Sequence, residues 1–104
     1  MASTGDLAKN AKELIYELVE EETGRKLGEL TIVTEVFEVT PGVVKVRFTP
    51  LSVYSPTAVD LGKRIRASAE KAEGVRKVVV DCSGHMQDDL VNRLVNAENA
   101  EKSS

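Results

Sequence analysis

The chain has 104 residues, 41% of them hydrophobic and 30% charged, with a formal net charge of -3 and a pI near 5.2; this suits one domain with a modest core and leaves no room for a second. The acidic balance argues against a sequence-independent nucleic-acid binder, because displacing counterions from phosphates takes a basic face. A single cysteine excludes a disulfide within the chain, so packing must supply the stability, and a reducing compartment is the expected setting.

The opening residues 1–6 have neither the basic start nor the apolar run of a signal peptide, and no segment approaches the roughly 20 apolar residues that span a bilayer. A flexible start, a cytoplasmic location and no membrane contact are therefore expected. Leu7, Ala11, Leu14, Ile15, Leu18 and Val19 recur at helical spacing, which predicts an amphipathic helix running to about Glu22 and ended by Thr23-Gly24. Residues 31–39 are β-branched and aromatic, and Thr40-Pro41-Gly42 is a tight-turn signal into residues 43–49, so the two strands should form an antiparallel hairpin. A helix over 56–72 would place Val59, Gly62, Ile65, Ala69 and Ala72 on one stripe, with Lys63, Arg64, Arg66, Glu70 and Lys71 largely outside it and Gly74 as the C-terminal cap. The small residues of that stripe predict close helix-on-sheet packing. Residues 75–81 read as a third strand, whose valine run suits a central or well-covered position. A last helix over 87–95 would turn Met86, Leu90, Val91, Leu94 and Val95 inward, and the polar stretch 96–104 reads as a flexible tail.

The expected fold is thus an α/β (α+β) single small domain spanning residues 7–95, with order α-β-β-α-β-α and a three-stranded mixed sheet covered by helices. The β-α-β portion requires a crossover between parallel strands. Two loops then follow the ends of parallel strands and open on the same edge of the sheet, where sites tend to sit. The first carries Thr49, Pro50, Tyr54, Ser55, Pro56 and Thr57; the second, Asp81-Cys82-Ser83-Gly84-His85, holds the only cysteine and the only histidine.

Ser55 before Pro56 has the form of an N-cap, and a helix start there would also receive an anion or a thiolate. Cys82 is either an inert, half-buried thiol or a reactive one, and His85 either a metal ligand or a group that bonds the loop backbone. Asp88 and Asp89 supply oxygen ligands or simply favour the helix dipole. A metal centre would need more ligands than Cys82 and His85, so a homodimer, a partner or a small thiol would have to complete it. No G-x-S-x-G elbow or orienting acid accompanies Ser55 or Ser83 with His85, and no enzyme is expected.

Arg47-Phe48-Thr49-Pro50 followed by a short loop and a small-residue helix start, with Gly84-His85 and Val91-Asn92-Arg93 farther on, resembles the small iron–sulfur cluster assembly and targeting domain of bacterial SufT and PaaD and of the eukaryotic cytosolic iron–sulfur targeting factor. The resemblance covers roughly residues 8–95. It departs at Ser55, where many members place a cysteine, and at Glu21-Glu22-Thr23-Gly24, where many have Asp-Pro after the first helix. A serine hydroxyl is a poor iron ligand beside the thiolate that such clusters select. What the resemblance implies is an accessory factor in iron–sulfur protein maturation, docking to iron–sulfur carriers or apo-target proteins, with at most a transient iron–sulfur cluster and none stably bound. An adaptor fits the missing cysteine better than a carrier. The other readings are a small protein-binding or regulatory domain unrelated to iron, and an RNA-binding module. Gly24-Arg25-Lys26-Leu27-Gly28 is not the G-x-x-G clamp of KH modules, and the acidic pI counts against RNA.

Overall fold

In the computed structural model, which describes residues 4–97 and the side chains from Leu7 onward, the first helix, α1, spans Thr4–Tyr16. Its inner stripe is Leu7, Ala11 and Ile15, all buried, while Leu14 and Val19 are exposed. The helix stops well short of Glu22. Three consecutive glutamates from Glu20 would crowd the negative end of the helix dipole, and the chain instead closes a loop around one of them. The carboxylate of Glu20, itself buried, accepts the backbone N–H groups of Glu22 and Thr23, and an isolated bridge pairs Val19 with Lys26. Burial opposes the charge on Glu20, but those bonds, the Thr23 hydroxyl and the Arg64 charge outweigh it and hold its pKa below the ordinary value. A 3-10 turn over Leu27–Glu29 leads to the sheet.

Strands β1 (Val33–Thr40) and β2 (Val43–Phe48) pair antiparallel as expected. Gly42 turns between them at φ 82°, a conformation that suits glycine. Its carbonyl accepts the Arg76 N–H, so the segment ahead of β3 (Lys77–Cys82) is clamped to the hairpin turn and the strand begins later than residue 75. β3 runs parallel to β2, with Val44 opposite Val78, Val46 opposite Val80 and Phe48 opposite Cys82. The sheet order is β1-β2-β3, so the valine run occupies an edge and β2 is central. Alternate residues of β2 and β3 face the core, and Val44, Val46, Phe48, Val78, Val80 and Cys82 are all buried; each large apolar side chain among them contributes roughly 1.5–3 kcal/mol.

Helix α2 spans Ala58–Glu70 and begins after Thr57, two residues later than Pro56 would allow. Ala58, Leu61, Gly62, Ile65 and Ala69 form its buried stripe, and Arg66, expected outside, is buried too, with Glu70 at 3.9 Å. A Cβ at Gly62 would lie 2.6 Å from Val95 Cγ2 and 3.4 Å from the Phe48 ring. The small residue is what lets α2 approach both the sheet and α3 (Asp88–Val95). Only Val91 and Val95 of α3 are buried, whereas Met86, Leu90 and Leu94 are exposed rather than inward.

The reason is the place of α3, at the open edge of β3. In a parallel strand alternate residues direct both backbone groups to one side, and those of Val80 and Cys82 point outward. The Asn96 amide accepts from the Val80 N–H and donates to its carbonyl; Asn92 does the same for Cys82. Four helical residues rise about 6.0 Å and two strand residues about 6.6 Å, so the two amides meet the two peptide groups in register. Asn96, read as the first residue of a tail, therefore belongs to the domain. The remaining stretches expected to be flexible, 1–3 and 98–104, lie outside the described residues, while residues 4–6 form the first turn of α1. No helix among the described residues is long and apolar enough to cross a membrane.

Candidate functional site

Because Phe48 and Cys82 are opposite one another in parallel strands, the chain leaves β2 and β3 at the same edge, and four contacts stitch the two loops together. The Ser83 N–H donates to the Phe48 carbonyl at 3.0 Å and the Met86 N–H to the Val53 carbonyl at 2.9 Å. The hydroxyls of Thr49 and Ser83 pair at 3.3 Å, and His85 Nε2 lies 2.9 Å from the Ser55 carbonyl. Gly84, at φ 86°, leaves room for the Thr49 methyl, which a Cβ would meet at 2.8 Å. Thr49, Pro50, Tyr54, Ser55, Pro56, Thr57, Cys82 and His85 thus all belong to one edge.

Ser55 is not the N-cap. Its side chain is buried and pairs with the Thr57 hydroxyl at 3.3 Å, and the cap position falls to Thr57, which makes no side-chain capping bond. The organising group is Asp88, whose Oδ1 accepts the His85 N–H at 2.7 Å and whose Oδ2 accepts the Gly84 N–H at 3.2 Å. A carboxylate in the first helical position has folded the preceding loop onto itself. Its signal in the sequence is the acid four residues beyond Ser-Gly; attention to the helix dipole alone misses it.

His85 has no free nitrogen. The Gln87 N–H donates to Nδ1 at 3.1 Å, so the proton sits on Nε2 and is donated to Ser55 O. Neither the Ser55 hydroxyl nor the Ser83 hydroxyl is bonded to the imidazole, each pairing with a threonine hydroxyl instead. Cys82 is only 2% exposed, and its thiol lies 3.7 Å from Asp88 Oδ1. Burial first, then the charge and hydrogen bond of Asp88 and the charge of Asp81, push the thiol up to about 12. It is a protonated donor to Asp88 rather than a thiolate. Among the described residues no group of three or more His, Cys, Asp or Glu is placed to hold a metal ion. The donors present do not fit an iron–sulfur cluster on this chain alone, since thiolate ligands are what such clusters take.

What the edge does offer is apolar surface. Leu51, Val53, Tyr54, Met86 and Leu90 are exposed, Tyr54 to 70% and Met86 to 62%. Beside Tyr54, Met86 and Leu90 lies a groove of about 280 Å³, lined by these three and by Ser55, Pro56, Val59, His85 and Val91. Small-molecule sites run to roughly 300–1,000 Å³ and are more enclosed, so this one is sized for a side chain of a partner. A larger hollow of about 500 Å³ between α1 and β1, lined by Lys12, Tyr16 and residues 33–37, holds none of the candidate residues.

No family model and no curated protein matches the chain. Among solved structures it is similar to the crystal structure of a domain of unknown function, DUF59, from Bacillus anthracis, with a TM-score of 0.72, 12% sequence identity, and coverage of 93% of this chain and 94% of that one; the two share a fold.

Proposed function

We propose that this protein is a non-enzymatic adaptor in iron–sulfur protein maturation, docking through the edge built from the 49–57 and 82–87 loops. The observation that carries the adaptor role is the joined pair of loops presenting exposed apolar side chains while the thiol and imidazole beneath them are fully engaged in structural bonds. The link to iron–sulfur chemistry rests on the sequence resemblance of Arg47-Phe48-Thr49-Pro50, Gly84-His85 and Val91-Asn92-Arg93, and the fold shared with the DUF59 domain is compatible with it. On this reading a cluster is cargo carried by the partner, and Cys82 is not its ligand.

The test is in two parts. Anaerobic incubation with iron and sulfide should leave no more iron on the protein than on a Cys82→Ser variant; a stable cluster lost on that substitution would make the protein a carrier. In cells lacking the protein, iron–sulfur enzyme activity should fall and be restored by wild type and Cys82→Ser, but not by Tyr54→Glu. Unchanged enzyme activity in those cells would remove the iron–sulfur link and leave the second reading, a protein-binding domain unrelated to iron, which the apolar patch alone supports.

A further inference from the structure

A hollow on one face of a sheet is lined by alternate residues of a strand, because successive side chains point to opposite faces. The hollow of about 500 Å³ beside α1 is lined by consecutive residues of β1, from Val33 to Phe37, so it runs along the free edge of the strand, where the backbone forms the wall. Among the described residues no strand pairs with β1 on that side, and no residue from Val33 to Thr40 makes a backbone–backbone hydrogen bond outside the hairpin. Asn92 and Asn96 close the β3 edge, and β1 has no such cover. Nor does it carry the usual guards of an edge, a lysine, a proline or an unpaired charge. Its two acids are engaged within the chain, Glu35 with Arg47 at 3.1 Å and Glu38 with the Gly42 N–H at 2.8 Å. The protection present is a register irregularity at each end, which leaves residues 35–38 as the regular stretch.

The alternating N–H and C=O groups of such an edge are answered by another extended strand. We infer that the strand is β1 of a second copy of this chain, paired antiparallel across a two-fold axis at Phe37. Two copies that continue one sheet keep their core faces on the same side, so residues opposite one another share a face and the axis passes through a residue rather than between two. Val36 and Glu38 lie opposite the buried Val46 and Val44 and face the core side; Glu35 and Phe37 face away from it. Glu35 or Glu38 on the axis would meet its own copy as a like charge. Val36 already packs against the core, whereas Phe37 is 37% exposed and has apolar surface to lose against its copy. The same register sets Glu38 of the second copy opposite Val36, on the side from which Lys12 lines the hollow. Lys12 lies over the Tyr16 ring at 5.3 Å and has no ion pair among the described residues. An acid of one copy beside an unpaired lysine of the other, repeated by symmetry, favours the copy over an arbitrary strand. With β3 sealed, pairing stops at two chains. The loop edges stay free and open at opposite ends of the joined sheet, so the dimer presents the docking edge proposed above twice.

Sedimentation velocity of the full chain over a roughly hundredfold range of concentration should show a reversible monomer–dimer equilibrium. Phe37→Lys sets two lysines against each other on the axis and should weaken the dimer by about tenfold or more, and Phe37→Glu should do the same. Mixing the two variants should restore association as a heterodimer, with far-ultraviolet circular dichroism unchanged in each. Tyr54→Glu should leave the dimer intact, because the loop edge takes no part in it. A monomer at every concentration would overturn the inference, leaving the β1 edge to a strand of another protein and the docking role untouched. A dimer that survives Phe37→Lys, or one that Tyr54→Glu dissolves, would overturn it by placing the contact elsewhere. Two variants that each dissociate and fail to rescue one another would overturn the axis at Phe37.

Discussion

Replacing Asn92 by alanine removes the amide that pairs with both backbone groups of Cys82 and donates at 3.3 Å to Asp81. Each lost bond costs roughly 0.5–1.5 kcal/mol, and more where the remaining group stays dry; Cys82 is 2% exposed, so two such groups place the loss at about 2–3 kcal/mol. Alanine returns about 0.5 kcal/mol as the better helix former. The net expectation is about 2 kcal/mol, a large part of the 5–15 kcal/mol that holds a domain of this size together. Urea unfolding should show the midpoint fall with little change in slope, and amide exchange at Cys82 should accelerate selectively. Asn92→Asp separates the two halves of the pair: it keeps an acceptor for the Cys82 N–H, loses the donor, and sets a charge beside Asp81 and Asp88. It should be destabilised above the carboxylate range and partly restored as the new acid is protonated. Asn92→Ala together with Asn96→Ala would bare an unpaired strand edge, and self-association on size-exclusion chromatography should follow. A loss under about 0.5 kcal/mol for Asn92→Ala, with Cys82 exchange unaltered, would refute the idea that these amides close the sheet.

Folding raises the Cys82 thiol from its ordinary value to about 12, so the folded state holds this proton more tightly; the stability it contributes is fully present below about pH 8.5 and is lost as pH rises toward 12, by up to about 1.4 kcal/mol per unit. Cys82→Ala should flatten that part of the pH–stability curve, and native Cys82 should alkylate more slowly at neutral pH than the same thiol in urea. Glu20 has the opposite sign: its lowered pKa gives stability that is present above the ordinary 4.5 and is lost as pH falls below it, so Glu20→Ala should cost about 1–2 kcal/mol near neutrality and little in acid. Gly62→Ala sets a methyl 2.6 Å from Val95 Cγ2; overpacking against a fully buried β-branched side chain, about 1–3 kcal/mol, should exceed the gain of up to about 1 kcal/mol in helix propensity. A double-mutant cycle with Val95→Ala should show the two changes compensating, and simple additivity would place the strain elsewhere.

Strand alternation made the hairpin and the parallel third strand readable, because burial on one face forces period two and the crossover rule leaves little choice of direction. The helix ends were not readable in the same way. Glu20 fits a helical wheel, and its use as a loop acceptor depends on backbone groups that come together only once Val19 meets Lys26. Ser55-Pro56 has the form of a cap, yet the contact between Ser55 and His85 joins residues 30 apart. The sequence placed the candidate residues on one edge correctly, since register settles that. It left open whether Cys82 is inert or reactive and whether His85 binds metal or bonds the loop backbone, and it did not name Asp88, Ser55 and Gln87 as their partners. Nor did apolar spacing separate Val91 and Val95, which are buried, from Leu90 and Leu94, which are not.

That last difference ties the fold to the proposed role. Sealing the β3 edge requires α3 to direct Asn92 and Asn96 at the strand, and one helix cannot also turn Leu90 into the core it shares with Val91 and Val95. Leu90 and the adjoining Met86 are therefore left on the surface beside Tyr54 by the same geometry that closes the sheet. Stability and docking then have separable residues on one helix. Asn92→Ala should weaken partner binding only as far as it loosens α3, and the loss should be recovered at lower temperature or in a stabilising osmolyte. Tyr54→Glu should abolish binding with the unfolding midpoint unchanged, because a side chain 70% exposed contributes little to the core. Loss of binding in both variants with no recovery for Asn92→Ala would mean that the asparagine itself faces the partner, and the division of labour along α3 would be wrong.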